Sequence, residues 1–181
     1  MDKYIIAWVP LAWKSTLAHH LQKKYWINHI PTDWFISAFQ ETFPEVGISH
    51  SFWLSIQWYN KVCEKSTDFL ISFISELDDQ NKFWWYVIEW CHWNIKKLNH
   101  LKKSHRIIVL GYPSISTEKK FSIVREKDIN NWTNEVGDKE LKDIINFWIQ
   151  ISVNLKEQCL EHWFDFVDSW KDFDEIFNSD I

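Results

Sequence analysis

Glycine is the residue that this sequence lacks most clearly. The chain holds 3 glycines in 181 residues, whereas average usage would place about 13 in a chain of this length. Glycine adopts positive φ angles without steric cost, and many turns and helix ends depend on it. A domain with so few glycines must either avoid such turns or place unsuitable residues in them.

Tryptophan is correspondingly abundant. The chain has 14 tryptophans, and several occupy expected turn positions, such as Trp26 after a predicted helix and Trp170 after Asp168-Ser169. The indole is a poor turn residue that exposes a large apolar surface. We therefore hypothesise that most of these tryptophans stand for glycine, as would follow if the source lineage reads the UGA codon as glycine. Replacing about ten of them would restore an ordinary glycine content; an aromatic-rich core is the alternative interpretation.

Cysteines are few as well, the chain has no net positive charge, and long apolar runs are absent. The three cysteines, Cys63, Cys91 and Cys159, are odd in number and show no metal-ligand spacing, so we expect a reducing, cytoplasmic location. The net charge of -5 and the pI near 5.9 give no electrostatic footprint for nucleic acid or anionic membranes. No apolar run reaches the roughly 18 residues of a membrane span, and we expect no signal peptide at the N-terminus.

The order of apolar runs predicts an α/β domain with a largely parallel sheet. Short buried-strand patterns alternate with segments of helical spacing, which is typical of βαβ units. The predicted strands cover residues 3–7, 28–31, 85–89, 106–110 and 164–168. The predicted helices cover residues 14–25, 34–43, 54–77 (as one helix or two), 95–103, 116–128, 139–162 and 173–177, with a polar turn at 78–81. Because the sequence shows neither a repeat nor a linker, we expect residues 1–181 to form a single domain.

The first predicted strand runs directly into a motif typical of phosphate binding. The pattern is G-x-x-x-x-G-K-[S/T] between a strand and a helix, and here Trp8 and Trp13 occupy both glycine positions. Glycines are needed there because backbone N–H groups must wrap a phosphate at close range. Lys14 would contact the β- and γ-phosphates of a nucleotide, and Ser15 would place its hydroxyl on Mg²⁺. The predicted nucleotide-binding segment comprises Trp8, Val9, Pro10, Leu11, Ala12, Trp13, Lys14, Ser15 and Thr16; a chance Lys-Ser-Thr at a helix start is the alternative.

With this motif the sequence resembles the P-loop small-molecule kinases, the group of nucleotide, shikimate and gluconate kinases. The resemblance implies a three-layer fold whose five-stranded parallel sheet has the order 2-3-1-4-5, with a lid that closes over ATP. The least core-like stretch, residues 113–138, is the candidate lid, and residues 34–80 form the substrate-side helical insert. Glu89-Trp90 is similar to the acid and glycine that end the third strand in this group. Asp168 and Ser169, followed by Trp170, resemble its base-contacting loop.

Two acidic residues end predicted strands at the edge where open α/β sheets bind ligands. Asp33 follows the second strand; it could act as a general base or orient the acceptor hydroxyl, although aspartate also caps helices. Glu89 ends the third strand; it could hold Mg²⁺ through water or grip the substrate, and a buried carboxylate that caps the next turn is the alternative.

Arginine is nearly absent, so the two that occur stand out. Arg125 lies in the candidate lid, and phosphoryl transfer benefits from a guanidinium placed on the developing charge. An exposed helix arginine paired with a neighbouring acid is the alternative for this residue. The lysines of the same segment, Lys119, Lys120 and Lys127, could add to the positive charge of the lid, although a solvated charged face is the favoured interpretation.

These observations favour an ATP- and Mg²⁺-dependent kinase, with Lys14, Asp33 and Arg125 as catalytic residues and Ser15 and Glu89 as metal ligands. The acceptor is a small molecule with a hydroxyl or phosphate group, and the sequence leaves its identity open. A nucleotide-binding module without phosphotransfer is the second interpretation. A kinase acting on RNA or a nucleotide-sugar is the third, and the acidic balance argues against RNA.

Overall fold

The fold is an α/β three-layer arrangement with a parallel sheet between helices. The computed structural model describes residues 3–48, 55–80, 84–127 and 132–172. Within these ranges, five strands pair in the order β2-β3-β1-β4-β5, and every pairing is parallel. The fold class and the strand order inferred from the sequence are therefore confirmed.

The strands are short and lie close to their predicted bounds. Their apolar runs predict buried parallel strands, because both faces of such a sheet are covered by helices. The side chains of Ile5 and Ile6, which point to opposite faces of the central strand, have no exposed surface. The strands are β1 (Lys3–Trp8), β2 (Asn28–Pro31), β3 (Tyr86–Trp90), β4 (Arg106–Gly111) and β5 (Asp165–Asp168).

Five α-helices and three 3₁₀ segments surround the described part of the sheet. The longest helices bury one apolar stripe each, and the stripe of the last helix includes Trp148 and Leu155. The α-helices are α1 (Lys14–Tyr25), α2 (Asp33–Thr42), α3 (Ile56–Asp79), α4 (Thr117–Lys127) and α5 (Asp138–His162). The 3₁₀ segments are Pro44–Val46, Ile95–Lys103 and Trp132–Glu135.

Two local predictions are corrected by the structure. The predicted polar turn at residues 78–81 is wrong at its start, because α3 continues through Asp79. There the Asp78 carboxylate accepts hydrogen bonds from Lys3 Nζ (2.7 Å) and the Tyr86 hydroxyl (3.0 Å), which fastens the helix end to the sheet. The segment 95–103 is helical as expected, but of the 3₁₀ type. The predicted terminal helix at 173–177 lies outside the described residues.

The topology places a crevice at the carboxyl end of β1. From β1 the chain first moves to one side of the sheet, through β2 and β3, and then crosses to β4 on the other side. Ligands bind at such switch points in open α/β sheets because the connecting loops diverge there. None of the helices that the structure describes is both long and apolar enough to cross a lipid bilayer.

Candidate functional site

The loop between β1 and α1 is a tight backbone turn. Val9 N donates to Leu110 O (3.2 Å), and Ala12 N donates back to Val9 O (3.2 Å). Two residues in the loop adopt left-handed backbone angles, Leu11 with φ 68° and Trp13 with φ 65°. Trp13 is the residue before the first turn of α1, so the helix starts directly out of this strained conformation.

Two side chains from the other side of the switch point brace the loop. The Tyr112 hydroxyl, just after β4, donates to Pro10 O at 2.9 Å. Lys120 Nζ, from α4, donates to Leu11 O at 2.7 Å and lies 4.4 Å from the centre of the Tyr112 ring. Lys120 is only 4% exposed, so a buried ammonium is held against the loop. These bonds hold two successive loop carbonyls, which limits the conformations of the loop.

A cavity of about 590 Å³ opens over this loop. It lies at the carboxyl ends of β1 and β3, bounded by the starts of α1 and α2 and by one face of α4. Its lining residues are Trp8, Pro10, Leu11, Ala12, Trp13, Lys14, Ser15, Thr16, Asp33, Ser37, Cys91, Lys120, Ile123, Val124, Lys127 and Trp132. The cavity therefore gathers almost the whole predicted phosphate-binding segment together with Asp33.

Lys14 and Asp33 meet inside this cavity. Lys14 Nζ lies 2.5 Å from Asp33 Oδ2, although the residues belong to the first turns of different helices. The same ammonium lies 4.0 Å from the centre of the Trp8 indole ring. Burial raises the pKa of the nearby Cys91 thiol well above its usual range, while Lys14 opposes that shift and Asp33 adds to it.

The charges and the helix geometry suit the cavity to a polyphosphate. Among the described lining residues, three lysines face one aspartate, which gives a net charge of +2. The start of α1 adds the positive end of a helix dipole, and no acidic side chain occupies its first turn. Ser15 and Thr16 are exposed at that start, where their hydroxyls could bind a hard cation such as Mg²⁺.

Glu89, the predicted metal ligand, does not line the cavity. It lies within β3, almost fully buried, with Oε1 at 3.0 Å from His29 Nε2. Its Oε2 atom is buried without a hydrogen-bond partner among the described residues. The backbone of Glu89 contributes more directly to the site, because its carbonyl accepts the Thr32 hydroxyl (2.5 Å) and so fixes the residue before Asp33.

Arg125, the predicted lid residue, is engaged away from the lining. Its guanidinium donates to Thr133 O (2.6 Å) and Val136 O (2.8 Å), and it forms an ion pair with Asp138 Oδ1 (2.7 Å). This guanidinium therefore ties α4 to the segment that leads into α5. The structure brings Lys14 and Asp33 together but does not bring Arg125 to them.

Asp168 and Ser169, predicted to contact a base, form a turn at the end of β5. Asp168 Oδ1 accepts from Trp170 N (3.1 Å), and Ser169 N donates to Gly111 O (2.7 Å). Both residues are buried, and the Ser169 hydroxyl lacks a hydrogen-bond partner among the described residues. Neither residue lines the cavity.

The cavity also contains residues that the sequence analysis did not favour or did not name. A solvated charged face was the favoured interpretation for Lys120 and Lys127; both line the cavity, where Lys120 is buried and Lys127 is exposed. Ser37, one turn after Asp33 on α2, lines it as well. The spacing along α4 could have identified Lys120 and Lys127. Residues 120, 123, 124 and 127 follow the i, i+3, i+4, i+7 spacing of one helix face, and all four line the cavity.

The left-handed residues of the structure coincide with tryptophans. Among the described residues, four that are not glycine have positive φ, and three of them are Trp13, Trp26 and Trp163. The last two end α1 and α5, where glycine is the usual residue. Trp26 and Trp163 are each 89% exposed, so the packing of their indoles does not compensate for the backbone strain.

Comparisons with known proteins add little. No protein-family model matches the chain, and no curated protein matches it significantly. Among solved structures it is similar to a putative kinase from Chloroflexus aurantiacus, with 11% identity and a TM-score of 0.41 over 82% of this chain and 79% of that one. A likeness of this size carries no argument about activity, so the function must be argued from the site itself.

Proposed function

We propose that this protein is an ATP-dependent phosphotransferase that acts on a small-molecule acceptor. The observation that carries the proposal is the meeting of Lys14 and Asp33, 2.5 Å apart, in a cavity at the switch point of the sheet. A lysine at a helix N-terminus can bind the phosphates of a nucleotide, and a carboxylate beside it can accept the proton of an acceptor hydroxyl.

On the donor side, the chain offers a set of cations and hydroxyls. Lys14 exchanges its bond to Asp33 for the β- and γ-phosphates of the nucleotide, and Ser15, with Thr16 beside it, supplies a hydroxyl ligand for Mg²⁺. When bound, the metal ion neutralises charge on the phosphates. Lys120 and Lys127 approach from α4. They take the charge-stabilising part that the sequence alone had suggested for Arg125.

On the acceptor side, Asp33 is the proton acceptor. Its side chain is 40% exposed in the cavity, so an incoming hydroxyl can reach it. The acceptor oxygen attacks the γ-phosphorus, the bond to the bridging oxygen of ADP breaks, and the hydroxyl proton passes to the Asp33 carboxylate. The bond from Thr32 to the Glu89 carbonyl holds the start of α2, and therefore Asp33, in place.

Two tryptophans conflict with this use of the site. The Trp8 ring lies against the Lys14 ammonium, and Trp13 has the left-handed φ that a phosphate-binding loop gives to glycine. We therefore include in the proposal that positions 8 and 13 are glycine in the natural protein, as the composition suggests. With indoles in both places, the ring over Lys14 would weaken nucleotide binding and transfer alike. A nucleotide-binding module without phosphotransfer is the second candidate function.

A transfer assay tests the proposal. The purified chain, with and without Trp8→Gly and Trp13→Gly, is incubated with ATP, Mg²⁺ and a panel of small hydroxyl and phosphate compounds, and phosphorylated products are detected by mass spectrometry. We expect phosphate transfer to an acceptor, and we expect Lys14→Met to lower its rate at least about a hundredfold. Lys23→Met, at the exposed end of the same helix, should leave the rate unchanged. Nucleotide binding without any product would support the module instead.

A further inference from the structure

We infer that the acceptor is an uncharged hydroxyl compound, such as a polyol or a sugar-like alcohol, and that phosphorylated and carboxylated compounds are rejected. This inference rests on the proposed function and narrows its substrate class. It follows from the way charge is divided between the two sides of the cavity.

All described cations of the cavity lie on one side of it. Lys14 belongs to α1, and Lys120 and Lys127 belong to α4. The side formed by α2 and the end of β3 presents the Asp33 carboxylate, the Ser37 hydroxyl and the Cys91 thiol. An anionic group placed on that second side would lie beside the Asp33 carboxylate. The ammonium of Lys14, 2.5 Å from that carboxylate, is taken up by the nucleotide phosphates in the proposed reaction, and burying an unpaired anion is costly.

The sequence around the acceptor side agrees with this division. Residues 26–60, which include the first part of the substrate-side insert, contain neither lysine nor arginine. The lysines of that insert, Lys61 and Lys65, lie on α3 outside the cavity lining, and Lys65 Nζ donates to Val46 O at 2.6 Å. Arginine and lysine are the side chains best suited to recognise a phosphate or carboxylate, and residues 26–60 contain neither.

The charge balance leaves no surplus for a second anion. The described lining residues carry a net charge of +2, and a magnesium–ATP complex carries about -2 at neutral pH. The donor nucleotide therefore neutralises the cavity by itself. A phosphorylated acceptor would bring further negative charge next to Asp33, and like charges placed side by side repel.

The groups that are present on the acceptor side suit hydroxyls. Asp33 and Ser37 are four residues apart on α2, so their side chains project from one face of the helix. A carboxylate accepts hydrogen bonds, and a serine hydroxyl both donates and accepts. Two neighbouring hydroxyls of one acceptor can thus be held together, with one of them placed for attack on the γ-phosphorus.

Matched acceptor pairs test the inference. Each pair consists of an uncharged compound and its anionic counterpart. The pairs are a nucleoside and its 5′-monophosphate, an alditol and its phosphate, and an alditol and the corresponding aldonic acid. Transfer from ATP is measured with the chain bearing Trp8→Gly and Trp13→Gly, and with the parent chain. Binding of each compound beside a non-hydrolysable ATP analogue is measured in parallel. We expect the uncharged member to be preferred at least about tenfold in kcat/KM or in affinity.

A charge-introducing variant adds a gain-of-function readout. Ser37→Lys places an ammonium on the acceptor side and should shift the preference about tenfold towards the anionic member. Ala38→Lys adds the same charge one position along α2, at an exposed residue outside the cavity lining, and should leave the preference unchanged. A parent protein that prefers the anionic members, or does not discriminate, overturns the inference, as does an unchanged preference in Ser37→Lys. Absence of ATP binding in both chains overturns the proposed function itself.

Discussion

The Lys14 ammonium lies against the face of the Trp8 indole, with Nζ 4.0 Å from the ring centre. A cation held over an aromatic ring gains energy from that contact, and here the ring also fills space on the route from Lys14 to a phosphate. The ammonium of Lys14, which we propose binds the nucleotide, is therefore already in contact with a side chain of its own loop.

Removing the two indoles of the loop should create or strengthen nucleotide binding. We expect Trp8→Gly with Trp13→Gly to raise the affinity for ATP at least about tenfold, because Lys14 is freed and the loop loses the strain at Trp13. Isothermal titration with ATP measures the change. Trp34→Gly, at an 81% exposed position outside the cavity lining, is the control; an equal gain in the control would contradict this explanation.

Replacing the tryptophans at two helix ends should stabilise the protein. Trp26 and Trp163 end α1 and α5 with φ of 55° and 58°, and a left-handed conformation costs a residue with a Cβ about 1 kcal/mol or more. Trp26→Gly and Trp163→Gly should each raise the free energy of unfolding by about 1 kcal/mol, as measured by urea denaturation.

The same substitution inside a helix should act in the opposite direction. Trp34 lies in the first turn of α2 with ordinary helical neighbours, so Trp34→Gly should lower the free energy of unfolding by about 0.5 kcal/mol through helix propensity. If the three glycine variants moved stability alike, the positive φ angles would not be the cause.

The buried lysine of α4 should contribute to phosphate affinity. Because Lys120 lies in the cavity and against Leu11 O, we expect Lys120→Met to weaken ATP binding about tenfold, the value of a charge-assisted hydrogen bond. Binding of the nucleoside without phosphates should remain near the parent value. Lys119→Met, on the exposed side of the same helix, is the matched control, and equal losses in both variants would count against a role for the Lys120 ammonium.

Alkaline pH should destabilise the fold through its buried thiols. Burial raises the pKa of Cys63 to about 12, whereas an exposed thiol in the unfolded chain ionises near pH 8.5 to 9. The stability that burial of the neutral thiol contributes is complete below the unfolded pKa and is lost as the pH rises towards the folded one, by about 1.5 to 2 kcal/mol at pH 10 for this thiol.

Denaturation at pH 8 and pH 10 measures this loss. Cys63→Ala should lose about 1.5 to 2 kcal/mol less of its free energy of unfolding than the parent between the two pH values. Ser66→Ala, a buried position on the same helix without a titrating group in this range, should keep the full loss of the parent. Identical pH dependence in both variants would show that other groups, such as the buried tyrosines, dominate.

The sequence predicted the sheet well because its signal is local. Apolar runs such as residues 106–110 become buried strands wherever helices cover both faces, and their alternation with helices predicted a largely parallel sheet. The strand order, which the structure confirms, was implied by the resemblance to the P-loop small-molecule kinases. The errors lie at element ends. Asp78 and Asp79 looked like turn residues, but a bond from Lys3, 75 residues away in sequence, holds Asp78 in the helix, and no local pattern reports such a contact.

The site was predicted in part for a similar reason. Lys14 and Asp33 come from a motif and from a strand end, and the structure brings them together. The positions of Arg125 and Lys120 depend on the rotation of α4 about its axis, which the packing of Val124 against Leu141 and Ile145 determines. The chemistry of its guanidinium made Arg125 the predicted partner of the phosphates, but this packing directs Lys120 towards the loop.

The contacts of Arg125 have a mechanical consequence. Its three acceptors all lie at positions 133–138, within the candidate lid and at its end, so these bonds connect α4 to the residues that lead into and begin α5. A movement of α4 that opened the cavity from this side would have to break all three bonds or carry residues 133–138 with it.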